Sequence, residues 1–140
     1  MTGQCRQPSK VALGREEPME FAKVEESLKA AELCYNAGLY NSSVSRAYYA
    51  MFQAAQVALE KAGFKRPEWS HTALRATFGN ELTRRRKRYS PFLARSLALG
   101  LELRLKADYE GENVSRKQTE HGLRWAKDFI EQIKEGLSYD

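Results

Sequence analysis

The sequence predicts an all-α protein, an up-and-down bundle of four main helices plus one short helix. Apolar residues recur at steps of three and four over long segments, and no segment has a convincing strand pattern. Glycine, proline and serine separate these segments where helices should begin or end. The 140 residues suffice for one domain with one core. We expect a flexible tail over residues 1–17, which lack periodicity, and a helical domain over 18–140.

The first two predicted helices are joined by a short turn, so they should pack as an antiparallel hairpin. The first runs from about Met19 to Asn36 and ends before Gly38, because glycine accepts the left-handed conformation of a helix C-cap. The second runs from about Tyr40 to Ala62 and ends at Gly63. Its N-cap is predicted among three polar residues near its start: Asn41, Ser42 and Ser43.

A third, shorter helix is predicted from a cap at Ser70 to about Leu82. A basic run follows it, and this run is the densest positive patch of the chain: Arg84, Arg85, Arg86, Lys87 and Arg88. Two interpretations stay open for it. Arg84, Arg85 and Arg86 could bind an RNA backbone or an acidic partner, or the run is a solvated, mobile loop between helices.

The two C-terminal helices are predicted from about Pro91 to Tyr109 and from Ser115 towards the chain end. Gln118 completes a capping-box pattern with Ser115. In the fourth helix alternate leucines give a period of two, which is a strand signal, at Leu97, Leu99, Leu101, Leu103 and Leu105. Leucine and alanine are not β-branched, so we predict a helix, apolar on nearly every side and buried against the core and a second subunit.

Composition excludes several functional classes. No apolar run approaches the roughly 20 residues that span a bilayer, and the N-terminus lacks the apolar stretch of a secretory signal, so we expect a cytoplasmic protein without membrane contact. Cys5 and Cys34 do not form a metal-ligand spacing. The sequence has no glycine-rich phosphate loop and no nucleophile elbow. We therefore expect no metal and no cofactor. The net charge of +5 is compatible with RNA but does not indicate it by itself.

Three segments together carry a family resemblance. The second helix contains SRAYYAMFQAA, the fourth ends in LRLKADYEG, and the last begins VSRKQTEHGLRW. Over about residues 19–137 the chain resembles the HEPN superfamily. The resemblance implies a helical bundle that dimerises, and many members are encoded beside a minimal nucleotidyltransferase as toxin and antitoxin. Active members are metal-independent ribonucleases that use an Arg and a His on one helix, while other members have lost this pair.

The resemblance places the catalytic Arg at Arg46 and the family's His position at Gln53. A glutamine can hydrogen-bond a phosphate or a base, but it cannot exchange a proton as a histidine can. Helical spacing puts Arg46, Tyr49, Ala50 and Gln53 on one face, which suits a polar pocket or a subunit interface. Tyr49 could stack on a base or pack in an interface.

Four further residues are candidates for the same cleft. Asp108 and Tyr109 could line it beside Arg46, or they could order the turn after the fourth helix. Asp108 could also form a structural ion pair with Arg46. The two histidines, His71 and His121, could replace the missing base from other helices. A surface role is equally open for His71, and a solvent-facing position is expected for His121.

Three functional hypotheses follow. The first is a dimeric RNA- or partner-binding module of a toxin–antitoxin-like nucleotidyltransferase system, which does not cleave. The second is a metal-independent ribonuclease toxin that uses Arg46. The third is a scaffold that binds protein only. Gln53 favours the first and third over the second, because it cannot act as a general acid or base.

Overall fold

The computed structural model describes residues 19–109 and 111–138. Within these residues the chain forms helices and no strand: α1 (Met19–Asn36), α2 (Tyr40–Lys61), α3 (His71–Thr77), α4 (Pro91–Tyr109) and α5 (Arg116–Ser138). A π-helical segment, Phe78–Arg85, continues α3 directly. The predicted all-α bundle of four main helices and one short helix is confirmed. The predicted tail, residues 1–17, lies outside the described residues.

The central helix is α2, which packs against α1, α4 and α5. Close approach of α4 to α2 depends on Gly100. A Cβ atom there would lie only 3.1 Å from the sulfur of Met51 and 3.3 Å from the Tyr48 ring. Because this position has no side chain, α4 sits directly on the Tyr48 ring, and polar residues further along both helices come within hydrogen-bond reach.

Three of the predicted helix ends are confirmed. Gly38 and Gly63 have positive φ angles of 79° and 99°, which glycine adopts without the steric cost other residues bear. At the start of α5, the Ser115 hydroxyl accepts from the backbone N–H of Gln118 at 3.0 Å. In return, the side-chain oxygen of Gln118 accepts from the backbone N–H of Ser115 at 2.9 Å. This reciprocal pair is the predicted capping box.

The predicted side-chain cap of α2 is wrong. The helix begins at Tyr40, and its N-cap position, Leu39, offers no side-chain hydrogen bond. Ser43 is buried and donates instead to the Ala31 carbonyl oxygen at 2.7 Å. Asn41 accepts from the Val114 amide at 3.0 Å. Both side chains thus serve contacts with distant segments instead of the first turn of their own helix.

The predicted end of the third helix is also wrong. The helix does not stop near Leu82 but continues as π-helical turns to Arg85, so Arg84 and Arg85 lie on a helix. The chain reverses after it at Lys87, whose φ angle is +52°. The amides of the next two residues both donate to the Leu82 carbonyl oxygen, at 2.9 and 3.2 Å. These two hydrogen bonds hold the reversal.

The helix prediction for 91–109 is confirmed despite the period-two leucines. The buried side of α4 carries Leu93, Ser96, Leu97 and Gly100. An adjoining side of the helix leaves an apolar stripe that is half-buried or exposed, here called the α4 outer stripe: Ala98, Leu101, Leu105 and Tyr109. Leu105 is 43% exposed and Tyr109 is 75% exposed. No helix in the described ranges has the length and apolarity needed to cross a bilayer.

Candidate phosphate-binding site

The structure brings together a cluster that no single helix contains. His71 opens α3, whose first turn is pinned by Ser70, the N-cap that accepts from the Ala73 amide at 3.0 Å. The half-buried His71 ring lies between α2 and α4. Its Nδ1 atom is 3.0 Å from the Tyr48 hydroxyl on α2, and its Nε2 atom is 3.2 Å from Nη1 of Arg104 on α4.

These contacts determine which ring nitrogen of the neutral imidazole carries the hydrogen. A guanidinium can only donate, so Nε2 of His71 must accept from Arg104. Nδ1 then carries the hydrogen and donates to the Tyr48 oxygen. Burial raises the pKa of Tyr48 to about 12, so its hydroxyl stays uncharged at neutral pH. The lone pair of Nε2 therefore points at Arg104.

Three causes lower the pKa of His71 from its ordinary value of 6.5. Partial burial contributes most, followed by the positive charges of Arg104 and Arg75. Arg75 lies one turn along α3, and its buried Nε atom has no hydrogen-bond partner among the described residues. A neutral imidazole thus stands next to two permanent cations, a combination that favours an incoming anion.

Asp108 extends the cluster along α4. Its carboxylate accepts from Nε of Arg104 at 3.1 Å and from the Ser45 hydroxyl of α2 at 2.8 Å. Asp108 therefore pairs with Arg104 and not with Arg46, contrary to one of the sequence-based alternatives. We call the set of Tyr48, His71, Arg75, Arg104 and Asp108 the His71–Arg104 centre.

Arg46 and Gln53 share a helix face, as their spacing predicts, but have different partners. Arg46 is exposed, and its guanidinium lies 4.9 Å from the centroid of the Tyr49 ring. Gln53 is half-buried and accepts from the Ser27 hydroxyl of α1 at 2.8 Å. Tyr49 is 41% exposed and stacks on Phe52, with 6.5 Å between ring centroids. Gln53 is thus part of the α1–α2 contact, whereas Arg46 and Tyr49 remain accessible.

The three arginines predicted to bind RNA or an acidic partner differ in their contacts. Arg84 and Arg85 are exposed and contact side chains of their own π-helical segment, Asn80 at 3.1 Å and Glu81 at 2.8 Å. Arg86 instead donates to the Ala62 carbonyl at the end of α2, at 3.1 Å, and lies over the Phe64 ring. Arg86 therefore has a structural contact that ties the basic segment to α2.

Sequence reasoning did not identify Arg104 or Arg75, and it left His71 open between a replacement base and a surface role. One local signal was available: Arg104 and Asp108 are four residues apart, the spacing of an ion pair on one helix face. His71 and Arg75 have the same four-residue spacing on α3, but no local pattern links Arg104 to His71. The other histidine, His121, is exposed, and its ring lies 6.1 Å from Trp125 on the same helix. The described residues hold no group of three or more His, Cys, Asp or Glu side chains able to bind a metal.

We expect stability to decrease as the pH falls below the ordinary histidine pKa of 6.5. The pKa of His71 is lower in the folded chain than in the unfolded chain, so the unfolded chain takes up the proton first. The stability contribution is full above pH 6.5 and decreases as the pH falls towards the folded pKa. An NMR titration of the His71 ring should give a midpoint below 6.5, and chemical unfolding between pH 8 and pH 5 should follow it. A midpoint above 6.5 would contradict the contact with two cations.

Comparison with known proteins agrees with this architecture. The chain matches the model of the HEPN domain over residues 21–136. It is 28% identical over 124 residues to a protein of Methanocaldococcus jannaschii described as a candidate toxin, covering 88% of this chain and 90% of that protein. It is 34% identical over 91 residues to a UPF0332 family protein of Gloeobacter violaceus, covering 65% of this chain and 70% of the relative. Since the HEPN model spans most of the helical domain, this chain belongs to the HEPN domain family.

Proposed function

We propose that this chain is a toxin-type HEPN module that binds RNA as a homodimer in the cytoplasm, with the His71–Arg104 centre holding the phosphate backbone. One observation carries the proposal: a neutral imidazole hydrogen-bonds Arg104, with the Arg75 guanidinium beside it. Fork-shaped guanidinium groups bind phosphate oxygens with short, charge-assisted hydrogen bonds.

The surroundings of the centre suit single-stranded RNA. Arg104 retains about a third of its side-chain exposure, so a phosphate can reach it. Tyr49 offers an exposed aromatic ring, and Arg46 lies over that ring. Phe52 connects the Arg46–Tyr49 pair to the His71–Arg104 centre, because its ring contacts both Tyr49 and His71. Aromatic rings beside cations can bind successive bases and phosphates without requiring one base sequence.

Dimerisation is proposed through the α4 outer stripe. Leu105 and Tyr109 expose apolar surface that a monomer would leave in water, and such patches mark interaction sites. Leu105 directly follows Arg104 in the chain, so a twofold contact through the stripe would bring the two centres to one shared cleft. The family resemblance implies dimers, and it also implies a minimal nucleotidyltransferase as a second partner. The toxin description of the Methanocaldococcus jannaschii relative supports a toxin role here.

The test combines RNA binding with sedimentation. Fluorescence anisotropy with a ten-nucleotide RNA should give an affinity that falls steeply as salt rises, because phosphate contacts release counterions. Sedimentation at micromolar concentration should give a species of twice the 16.0 kDa chain mass. Absence of RNA binding at low salt would reject RNA as the ligand. A monomer at every concentration would reject the shared cleft.

Metal-independent RNA cleavage is the second candidate, favoured by the neutral state of His71. Once Arg104 moves its hydrogen bond from Nε2 to a phosphate oxygen, Nε2 can take the proton of a ribose 2′-hydroxyl. The 2′-oxygen then bonds to phosphorus, the bond from phosphorus to the 5′-oxygen breaks, and that oxygen takes a proton from a water molecule. The resulting hydroxide takes the proton of the His71 imidazolium, which returns the ring to its neutral state. Fragments ending in a 2′,3′-cyclic phosphate, formed equally with and without EDTA, would support this reaction. Intact RNA after long incubation would reject cleavage and leave RNA binding as the function.

A further inference from the structure

A second basic site lies between the end of the π-helical segment and the start of α4. It is a cavity of about 550 Å³ whose charged lining residues are all cationic, Arg84, Lys87 and Arg88, with Thr83, Tyr89, Ser90 and Pro91 completing the wall. The cavity of about 460 Å³ between α1 and α5 differs, because acidic and basic side chains alternate around it. A volume of this order suits part of an extended ligand.

The backbone holds these cations together. Lys87 lies at the reversal with φ +52°, and the two hydrogen bonds to the Leu82 carbonyl oxygen fix the two residues that follow it. Arg84 lies on the last turn of the π-helical segment, where its side chain donates to Asn80 at 3.1 Å. The charges are therefore concentrated by the fold and are not spread along a loop.

This cavity lies on the same pair of helices as the His71–Arg104 centre. The α3–π segment runs antiparallel to α4: His71 meets Arg104 at one end, and Gly79 lies against Ala94 near the other. The cavity follows where the π-helical segment passes into α4. Thirteen residues of α4 separate Pro91 from Arg104, or about 20 Å at 1.5 Å per residue.

We propose that the cavity of Arg84, Lys87 and Arg88 is a second phosphate-binding position, and that one RNA strand lies along α3 and α4 from this cavity to the centre. The inference rests on the proposed function, because it extends the same ligand. Two cationic positions on one helix pair match the repeated charge of a nucleic-acid backbone. An acidic protein would match the charge as well, so the test includes one.

The experiment compares a double variant with a matched control in the full chain. Arg84→Gln with Lys87→Asn removes two charges, and asparagine tolerates the left-handed backbone at position 87. Lys117→Gln with Arg124→Gln removes two charges from exposed positions of α5. Affinities are measured by anisotropy for a ten-nucleotide RNA, a dinucleotide too short to join the two positions, and polyglutamate. Lys87→Gly serves as a second variant if the first unfolds.

We expect the double variant to bind the ten-nucleotide RNA about tenfold more weakly. The slope of log affinity against log salt concentration should be shallower by about 1.4, because each removed phosphate contact to a single strand accounts for about 0.7 of that slope. Its dinucleotide affinity and the control's affinities should change less than threefold. Equal losses in variant and control would overturn the proposal, as would a loss confined to polyglutamate. If the double variant binds RNA like the wild type while Arg104→Gln loses RNA binding, the proposal of a second phosphate-binding position is wrong and the proposed function stands. If the wild type binds neither the ten-nucleotide RNA nor the dinucleotide, the proposed function itself is wrong.

Discussion

Replacing Arg104 by glutamine is expected to weaken RNA binding by at least tenfold and to raise the pKa of His71 towards 6.5. Hydrogen bonds between charged groups contribute roughly 1.5–3 kcal/mol, which corresponds to one or two orders of magnitude in affinity. The pKa change follows because the Arg104 charge is one of the causes that lower it. Anisotropy measures the first effect, and an NMR titration of the His71 ring measures the second.

The comparison variant is Arg46→Gln, which also removes one cation. It tests the position to which the family resemblance assigns the catalytic arginine against the position that the structure favours. Arg46 is exposed and lies over the Tyr49 ring, within the surroundings proposed to contact RNA. We therefore expect Arg46→Gln to weaken RNA binding, but by less than Arg104→Gln does. A large loss for Arg46→Gln with none for Arg104→Gln would reverse the assignment. Arg104→Lys keeps the charge and should restore part of the binding if charge, and not the fork, is what matters.

Replacing Phe78 by alanine is expected to lower the free energy of unfolding by about 3–5 kcal/mol, the range found for large aromatic residues in cores. Phe78 opens the π-helical segment and is fully buried. Its ring lies 5.8 Å from Tyr89 and 5.5 Å from Phe129 on α5. Its loss would remove the ring that packs the segment carrying the basic cavity against α5. Urea unfolding at fixed protein concentration measures the change, because a dimer's stability depends on concentration.

Phe92→Ala is the control for this prediction. Phe92 is 48% exposed at the start of α4, so its replacement should change the unfolding free energy by no more than about 0.5 kcal/mol. A loss below 1 kcal/mol for Phe78→Ala would mean that the π-helical segment does not pack on α5. A similar large loss for both variants would indicate that Phe92 is covered, for instance by a second subunit.

The helices themselves could be predicted because their signals are local. Apolar spacing near 3.6 residues, left-handed glycines and the Ser115–Gln118 box all act within one or two turns of the chain. The same reasoning failed for the cap of α2. Ser43 is a good N-cap residue by type, but its hydroxyl gains more from the Ala31 carbonyl inside the α1–α2 contact. A long-range partner replaced the local one.

The sequence by itself determined an all-α bundle, the positions of its five helices, and an α4 with more apolar surface than one core can bury. It also placed Arg46 and Gln53 on one face of α2, since helical periodicity alone decides that. Only the tertiary structure decided where the chemistry concentrates. Gln53 is held by Ser27 of α1, and His71 meets an arginine 33 residues away on α4. The physical reason is that hydrogen bonds and charge interactions depend on distance in space. At the His71–Arg104 centre, the close packing of α4 on α2 at Gly100 sets those distances.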